Sequence, residues 1–418
     1  MTNIPQSSTV LPFQEAYDLI QKYCKSLAPV GTEEVALLQG LGRILAEPIL
    51  ADRDFPPFPR ATRDGFAVRA ADVKSAPVPL RVVGQVRAGS SFPRSVAEGE
   101  AVEIMTGAPV PSGSDAVVMV EYTVRNGDFV EIQRSCASGE NVVPAGSEAK
   151  GGQEMLSPGI RLSFAHIAVA SAVGKGRLHV YKKPRVAILS TGDELVELEQ
   201  EPKEHQIRNS NSYSLAAQVL AVGGEPLQLP IAPDDAILIR DLIQQGLETD
   251  LLLLSGGVSM GKFDLVEQVL SEMGAEFFFT GVAIQPGRPV VFGHVKIPSK
   301  TSLTPFFGLP GNPVSTMVTF ELFVTSVVRA LAGKLPVRLN TALARLGKAI
   351  KTKTGLTRFL PAVLSGGLHD PVVEVVPWQG SGDIQAAARA NCYVVVPPDR
   401  ESIAAGEMIS VLMHSCPN

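Results

Sequence analysis

The chain has 418 residues, 45% hydrophobic and 19% charged, with a net charge of -5. That length allows two to four domains with their own cores, and the balance is that of a globular protein. The negative charge excludes a bulk basic field for nucleic acid or an anionic membrane. Cys24, Cys136, Cys392 and Cys416 lie too far apart for a zinc ribbon or a disulfide framework and fit a reducing compartment. The first ten residues lack the basic start and apolar core of a signal peptide, and the most apolar run, residues 167–173, is too short to cross a bilayer. A cytoplasmic location without membrane or nucleic-acid partners is expected.

Residues 13–28 carry helical spacing, with Ala16, Leu19, Ile20 and Tyr23 on one side, and residues 35–45 read as a second helix interrupted by Gly40 and Gly42. From residue 51 to about 146 the texture becomes short β runs between Gly and Pro. Residues 80–86, 101–105 and 116–124 are predicted strands, and Asn126-Gly127 signals a hairpin before residues 129–132. Residues 161–173 return to a helical pattern, so the early helical part closes around an inserted β domain. From residue 184 strands and helices alternate: 185–190 with 212–222, 226–230 with 234–247, 251–255 with 264–273, and a long final helix over 312–331. That alternation predicts a parallel three-layer domain. After Pro336 the chain is β-like, as in a small barrel or sandwich.

Three turns follow apolar strands in the alternating region: Thr191-Gly192-Asp193-Glu194, Ser255-Gly256-Gly257-Val258-Ser259, and Pro310-Gly311-Asn312-Pro313. Glycine lets backbone N–H groups approach a ligand, helix N-termini favour anions, and in an open parallel sheet such turns gather at the carboxyl ends of strands. Together they point to an anion or phosphate site. Asp193, Glu194, Asp234 and Asp264 would converge at the same edge. Each also fits helix capping, but several carboxylates at one edge repel unless a cation sits among them. Asn312 and Pro313 fit a helix start as well as a ligand turn. The loops around Asp64-Gly65 and Thr106-Gly107 read as surface turns when taken alone. No dinucleotide fingerprint is present, Lys262 precedes Phe263 rather than a Walker Ser or Thr, and no histidine neighbours a nucleophile.

Taken in order, these motifs resemble the molybdopterin molybdenumtransferase family (MoeA, and the E domain of gephyrin). The match covers Asp64-Gly65-Phe66-Ala67-Val68-Arg69, the Ile104–Pro111 loop with Thr106, Ser190–Leu195, Ser255–Ser259, Gly308–Ser315 and Gln379-Gly380-Ser381. The resemblance implies an α/β multidomain fold: a central three-layer α/β/α domain with a mostly parallel sheet (residues 181–333), a β-rich inserted domain (51–146), an elongated helical linker domain (1–50 and 147–180) and a C-terminal small β-barrel-like domain (334–418). It implies a homodimer that inserts molybdate into adenylylated molybdopterin and releases AMP with Mg²⁺, with the molybdopterin adenylyltransferase as a candidate partner. Thr191, Gly192, Asp193, the Ser255–Ser259 loop and Pro310–Pro313 would hold the pterin nucleotide. Glu194, Asp234 and Asp264 would hold the cation, Asp64 and Thr106 would act in the partner subunit's cleft, and Gln285, Arg288 and Ser381 would contact molybdate.

This chain departs from the family pattern at the oxyanion residues. Gln285 stands where lysine is usual, with Arg288 keeping a second charge, and Pro361 stands where arginine is expected, with Arg358 close by. Val143, Pro144 and Ala145 replace an arginine-rich region, and Glu148 stands in place of aspartate. Each charged hydrogen bond lost to an oxyanion costs about 1.5–3 kcal/mol, or roughly ten- to a hundred-fold in affinity. A pterin-binding scaffold or carrier without efficient insertion is therefore the alternative function, and a tungstate-using variant is a further one.

Overall fold

The computed structural model describes residues 10–256, 265–336, 338–367 and 369–415. Its contacts divide the chain into two compact units. One holds residues 35–41 and 47–178, and the other holds the chain up to residue 34, residues 42–46, and everything from residue 179 onward.

The smaller unit is built on a six-stranded sheet in the order Ala116–Met119, Gly65–Val68, Glu100–Ile104, Val78–Val86, Phe129–Ile132, Thr123–Asn126. Side chains alternate across a pleated strand, so Phe66 and Val68 enter one apolar core while Ala67 enters another on the opposite face. The predicted hairpin is present, but Asn126 is still paired, to Phe129, and the turn itself is Gly127-Asp128. The run 116–124 is two strands, because a 3₁₀ turn at Val120–Tyr122 breaks it. The helix expected over residues 35–45 is not formed. A strand ends at Ala36 and a single 3₁₀ turn, Leu37–Gly40, follows, with Gly42 in the left-handed region at φ 77°. Two glycines within three residues are too costly for a helix to extend through them. The 161–173 segment does form a helix, Phe164–Ala172.

In the larger unit, helix α1 (Phe13–Cys24) buries Ala16, Ile20 and Cys24 along one stripe. The α/β part follows with β1 (Arg185–Ser190), α2 (Ser210–Ala221), β2 (Glu225–Gln228), α3 (Ala236–Leu247), β3 (Leu251–Ser255), α4 (Leu265–Glu272), β4 (Glu276–Phe279), β5 (Val291–Val295) and β6 (Thr304–Leu309). The sheet runs β2-β1-β3-β6-β5-β4, with β2, β1, β3 and β6 parallel and the β6–β5 and β5–β4 pairs antiparallel. Parallel strands covered on both faces must be apolar at every position. Val186 and Ile188 of β1 accordingly enter one core, Ala187 and Leu189 the other, and all four are fully buried.

The chain then runs through α5 (Pro313–Thr319), a π-helical turn at Phe320–Val324, and α6 (Thr325–Leu331). This 19-residue stretch is long and apolar enough to cross a bilayer, yet nearly all of it is buried inside the protein, where it forms the spine of a large apolar core. The C-terminal part comprises β7 (Thr341–Leu346), β8 (Thr357–Gly367), β9 (Asp370–Val375), β10 (Cys392–Val396) and β11 (Met408–Met413). Their pairing order β8-β9-β7-β11-β10 returns to β8, which makes a closed five-stranded barrel. A short helix, α7 (Ile384–Arg389), interrupts the β texture expected there.

Candidate active site

The three predicted turns meet at the carboxyl ends of β1, β3 and β6. The Thr191 amide donates to the Ser255 carbonyl (3.1 Å), and the Gly192 amide to the Ala232 carbonyl beyond β2 (3.1 Å). These bonds lock the first turn against its neighbours. Gly256 sits at φ 88°, and a Cβ there would lie 2.5 Å from the Thr191 carbonyl oxygen, so no other residue fits without moving β1. The third turn opens α5 with Asn312 preceding Pro313 at the first helical position, as predicted, although the Asn312 side chain makes no capping bond. The Thr316 hydroxyl instead reaches back to the Pro310 and Asn312 carbonyls. Gly257, Val258, Ser259 and Asp264 lie outside the described residues.

Asn211, which the sequence reading passed over, joins two of the three turns. Its Nδ2 donates to Ser255 Oγ (2.9 Å) and to the Gly311 carbonyl (2.8 Å). The signal was two asparagines at one helix start. Asn209 caps α2 by accepting from the Ser212 amide (3.1 Å), so Asn211 is surplus to capping. Asn211 Oδ1 and Thr191 Oγ1 are buried and without a hydrogen-bond partner among the described residues. Buried polar atoms are nearly always bonded, so two orphans at one edge mark a place for a ligand.

Asp193, Glu194 and Asp234 come together as expected. Asp193 Oδ1 accepts the Asp234 amide (3.1 Å). Partial burial raises the Asp234 carboxyl above the usual carboxylate range, and the charges of Asp193 and Glu194 push it the same way. The next residue, Asp235, is used differently. It caps α3, accepting from the Ile237 (2.8 Å) and Leu238 (3.0 Å) amides. Among the described residues no three His, Cys, Asp or Glu side chains form a ready-made metal cage. The like charges of Asp193 and Glu194 beside Asp234 leave this edge electronegative.

The oxyanion candidates also gather on α5. Ser381 accepts the Val314 amide through its carbonyl (2.9 Å), which places the Gln379–Ser381 turn on the first turn of the helix. Beside it, Pro377, Trp378, Gln379, Gly382, Asp383, Gln385 and Arg389 line an open cavity of about 620 Å³. Asp383 caps α7 there, and its bonds from the Ala386 and Gln379 amides hold its carboxyl below the usual range. On another side of α5, Gly287 at φ 102° packs so closely that a Cβ would stand 2.5 Å from Thr319 Cγ2. The segment carrying Gln285 and Arg288 therefore lies against the same helix, with both side chains exposed. Pro361 is buried in β8, paired with Tyr393, and presents no cation. In the smaller unit, Asp64 and Thr106 are directly bonded. Asp64 Oδ1 accepts both the Thr106 amide (2.6 Å) and hydroxyl (2.8 Å), and these two bonds hold its carboxyl below the usual range.

The chain matches the MoeA N-terminal region (domains I and II) over residues 11–174, a probable molybdopterin-binding domain over residues 187–330, and the MoeA C-terminal region (domain IV) over residues 343–413. It is 35% identical over 401 residues to a molybdopterin molybdenumtransferase of Nostoc sp., covering 91% of this chain and 88% of that protein. It is 32% identical over 418 residues to the one of Bacillus subtilis, covering 98% and 95%. A solved structure of the molybdopterin biosynthesis MoeA protein from Pyrococcus horikoshii superposes with a TM-score of 0.79 at 29% identity, covering 97% of this chain and 100% of that one. Similarity over nearly the whole length, with the pterin-binding match falling on the three strand-end turns, settles the assignment: the chain belongs to the molybdopterin molybdenumtransferase family.

Proposed function

We propose that this protein inserts molybdate into adenylylated molybdopterin and releases AMP in a Mg²⁺-dependent reaction. The observation that carries the reading is the edge at which Thr191, Ser255, Asn211 and Gly311 are bonded to one another with two polar atoms left over. Backbone amides and a helix N-terminus at such an edge suit phosphate oxygens, and Thr191 Oγ1 and Asn211 Oδ1 remain for the nucleotide or pterin. Thr191, Gly192, Asp193, Ser255–Ser259 and Pro310–Pro313 are the proposed substrate contacts. Glu194, Asp234 and Asp264 are the proposed cation residues. A bound Mg²⁺ would supply charge neutralisation for the phosphate oxygens of the leaving nucleotide. Asp64 and Thr106 are proposed to contribute to the reaction, and a homodimer in the cytoplasm that receives substrate from the adenylyltransferase is the proposed setting. The domain division at residues 51–146, 181–333 and 334–418, with the remainder as linker domain, is proposed with it.

Purified protein given adenylylated molybdopterin, Mg²⁺ and molybdate should release AMP only when molybdate is present, and Glu194→Ala should abolish that release. Absence of release at millimolar molybdate defeats the proposal. The buried, uncharged Pro361 supports a second reading, a pterin-binding scaffold or carrier, for which tight pterin-nucleotide binding without AMP release is the expected result.

A further inference from the structure

The apolar spine from Pro313 to Leu331 carries only Glu321 and Arg329 as charged residues. Glu321 sits in the π-helical turn and is 7% exposed. Such turns are rare and are frequently found at functional positions. Burying a carboxylate is costly unless donors meet it, and here they come from two other elements. Glu321 Oε2 accepts the Ser415 hydroxyl (2.6 Å) and amide (3.3 Å), just past the end of β11, and Oε1 accepts Gln218 Nε2 of α2 (3.4 Å). Burial raises the Glu321 carboxyl above the usual range, although these donors and the charge of Arg329 oppose the shift. Burial also raises the Tyr393 hydroxyl, and the Glu321 charge acts the same way, so β10 lies beside the carboxylate as well.

Gln218 Nε2 also donates to the Met317 carbonyl (3.1 Å), about one turn before Glu321 on the spine. Asn211 lies about two turns earlier on α2 and holds the Gly311 carbonyl at the start of the same spine. Two side chains on α2 thus grip successive points of the spine, one at the nucleotide edge and one at Glu321. Between them Leu215 and Val219 pack into the core shared by the spine and the barrel residues Phe359, Tyr393 and Leu412. Apolar packing is non-directional, so the polar bonds fix how far α2 sits along the spine.

We infer that Glu321 is a positioning residue for the nucleotide edge: it clasps α2 to the spine and to the end of the barrel, and so sets where Asn211 meets Ser255 and Gly311. This rests on the reading of that edge as the substrate site and names what holds it from behind. A carboxylate suits the clasp because both of its oxygens accept. A glutamine at 321 would keep the Ser415 bonds only by turning its NH2 group toward the Gln218 NH2 group, which opens the α2 side.

The test measures urea unfolding and calorimetric binding of adenylylated molybdopterin for wild type, Glu321→Gln, Ser415→Ala and Ser415→Thr. Glu321→Gln removes a buried charge, so at neutral pH its unfolding midpoint should equal or exceed that of wild type. Its affinity should nevertheless fall roughly two- to ten-fold, the range for one lost hydrogen bond. Stability and affinity moving in opposite directions is a result that a merely structural role would not give. Ser415→Ala, at a half-buried position near the chain end, should weaken binding in the same way, and Ser415→Thr, which keeps the hydroxyl, should restore it. If Glu321→Gln does not fold, the Ser415 pair decides. Wild-type affinity in Glu321→Gln, an affinity loss that tracks a stability loss, or no rescue by threonine overturns the inference. Binding by wild type without AMP release would sink the reaction proposed above while the clasp is still read from affinity. No binding by wild type would remove the edge as the substrate site and the inference with it.

Discussion

The Asn211 bridge gives the most direct test of how the candidate site is held together. Asn211→Ala removes two hydrogen bonds, of 2.9 Å to Ser255 Oγ and 2.8 Å to the Gly311 carbonyl, and no other described side chain spans those two turns. Two neutral bonds at about 0.5–1.5 kcal/mol each amount to about 1–3 kcal/mol. If the turns must be held together for the nucleotide to bind, that energy appears as a roughly 5- to 150-fold weaker affinity. Calorimetric titration of adenylylated molybdopterin into wild type and variant measures it, with urea unfolding run in parallel. Asn211→Asp should be worse than alanine, because a carboxylate only accepts and would face the Gly311 carbonyl. A variant that loses stability but keeps wild-type affinity would show that the bridge does not set the site, and the reasoning would fail.

Three further outcomes follow from the same geometry. Gly256→Ala should lose about 1–3 kcal/mol in urea unfolding and lower activity too, since the left-handed φ of 88° and a 2.5 Å approach to Thr191 both oppose a Cβ. Wild-type stability would refute this. Asp235→Ala should cost about 1 kcal/mol of stability through its lost cap while leaving the Mg²⁺ dependence of AMP release unchanged. A shifted Mg²⁺ dependence would instead make Asp235 a cation residue. The Asp234 carboxyl is raised in the folded state, so its ionisation weakens folding as pH climbs from the ordinary aspartate range through the folded value. Asp234→Asn should therefore be more stable than wild type at neutral pH, with the difference vanishing at acid pH where both states are protonated. Equal stabilities across that range would remove the repulsion argument.

The strand-end turns were legible because their signals are local. An apolar run marks a strand buried on both faces, and Gly, Asp or Pro directly after it marks the turn, so Thr191, Ser255 and Pro310 fell where the sequence put them. The closed β region after Pro336 was legible in texture, though the helix Ile384–Arg389 was not, being only six residues long. Residues 35–45 misled because their apolar spacing was weighed above Gly40 and Gly42.

The sequence by itself determined the family, the order of strands and helices in the α/β part, and which turns carry backbone amides and carboxylates. These depend on hydrophobic period and residue type, which a chain carries before it folds. Tertiary structure alone decided that Asn211 ties the turns of β3 and β6, that the Asp193 side chain accepts the Asp234 amide, and that Gln285 meets Arg358. The physical reason is the same in each case. The partners in each bond are more than forty residues apart along the chain, and a hydrogen bond between them exists only after the sheet and the barrel have set their distance.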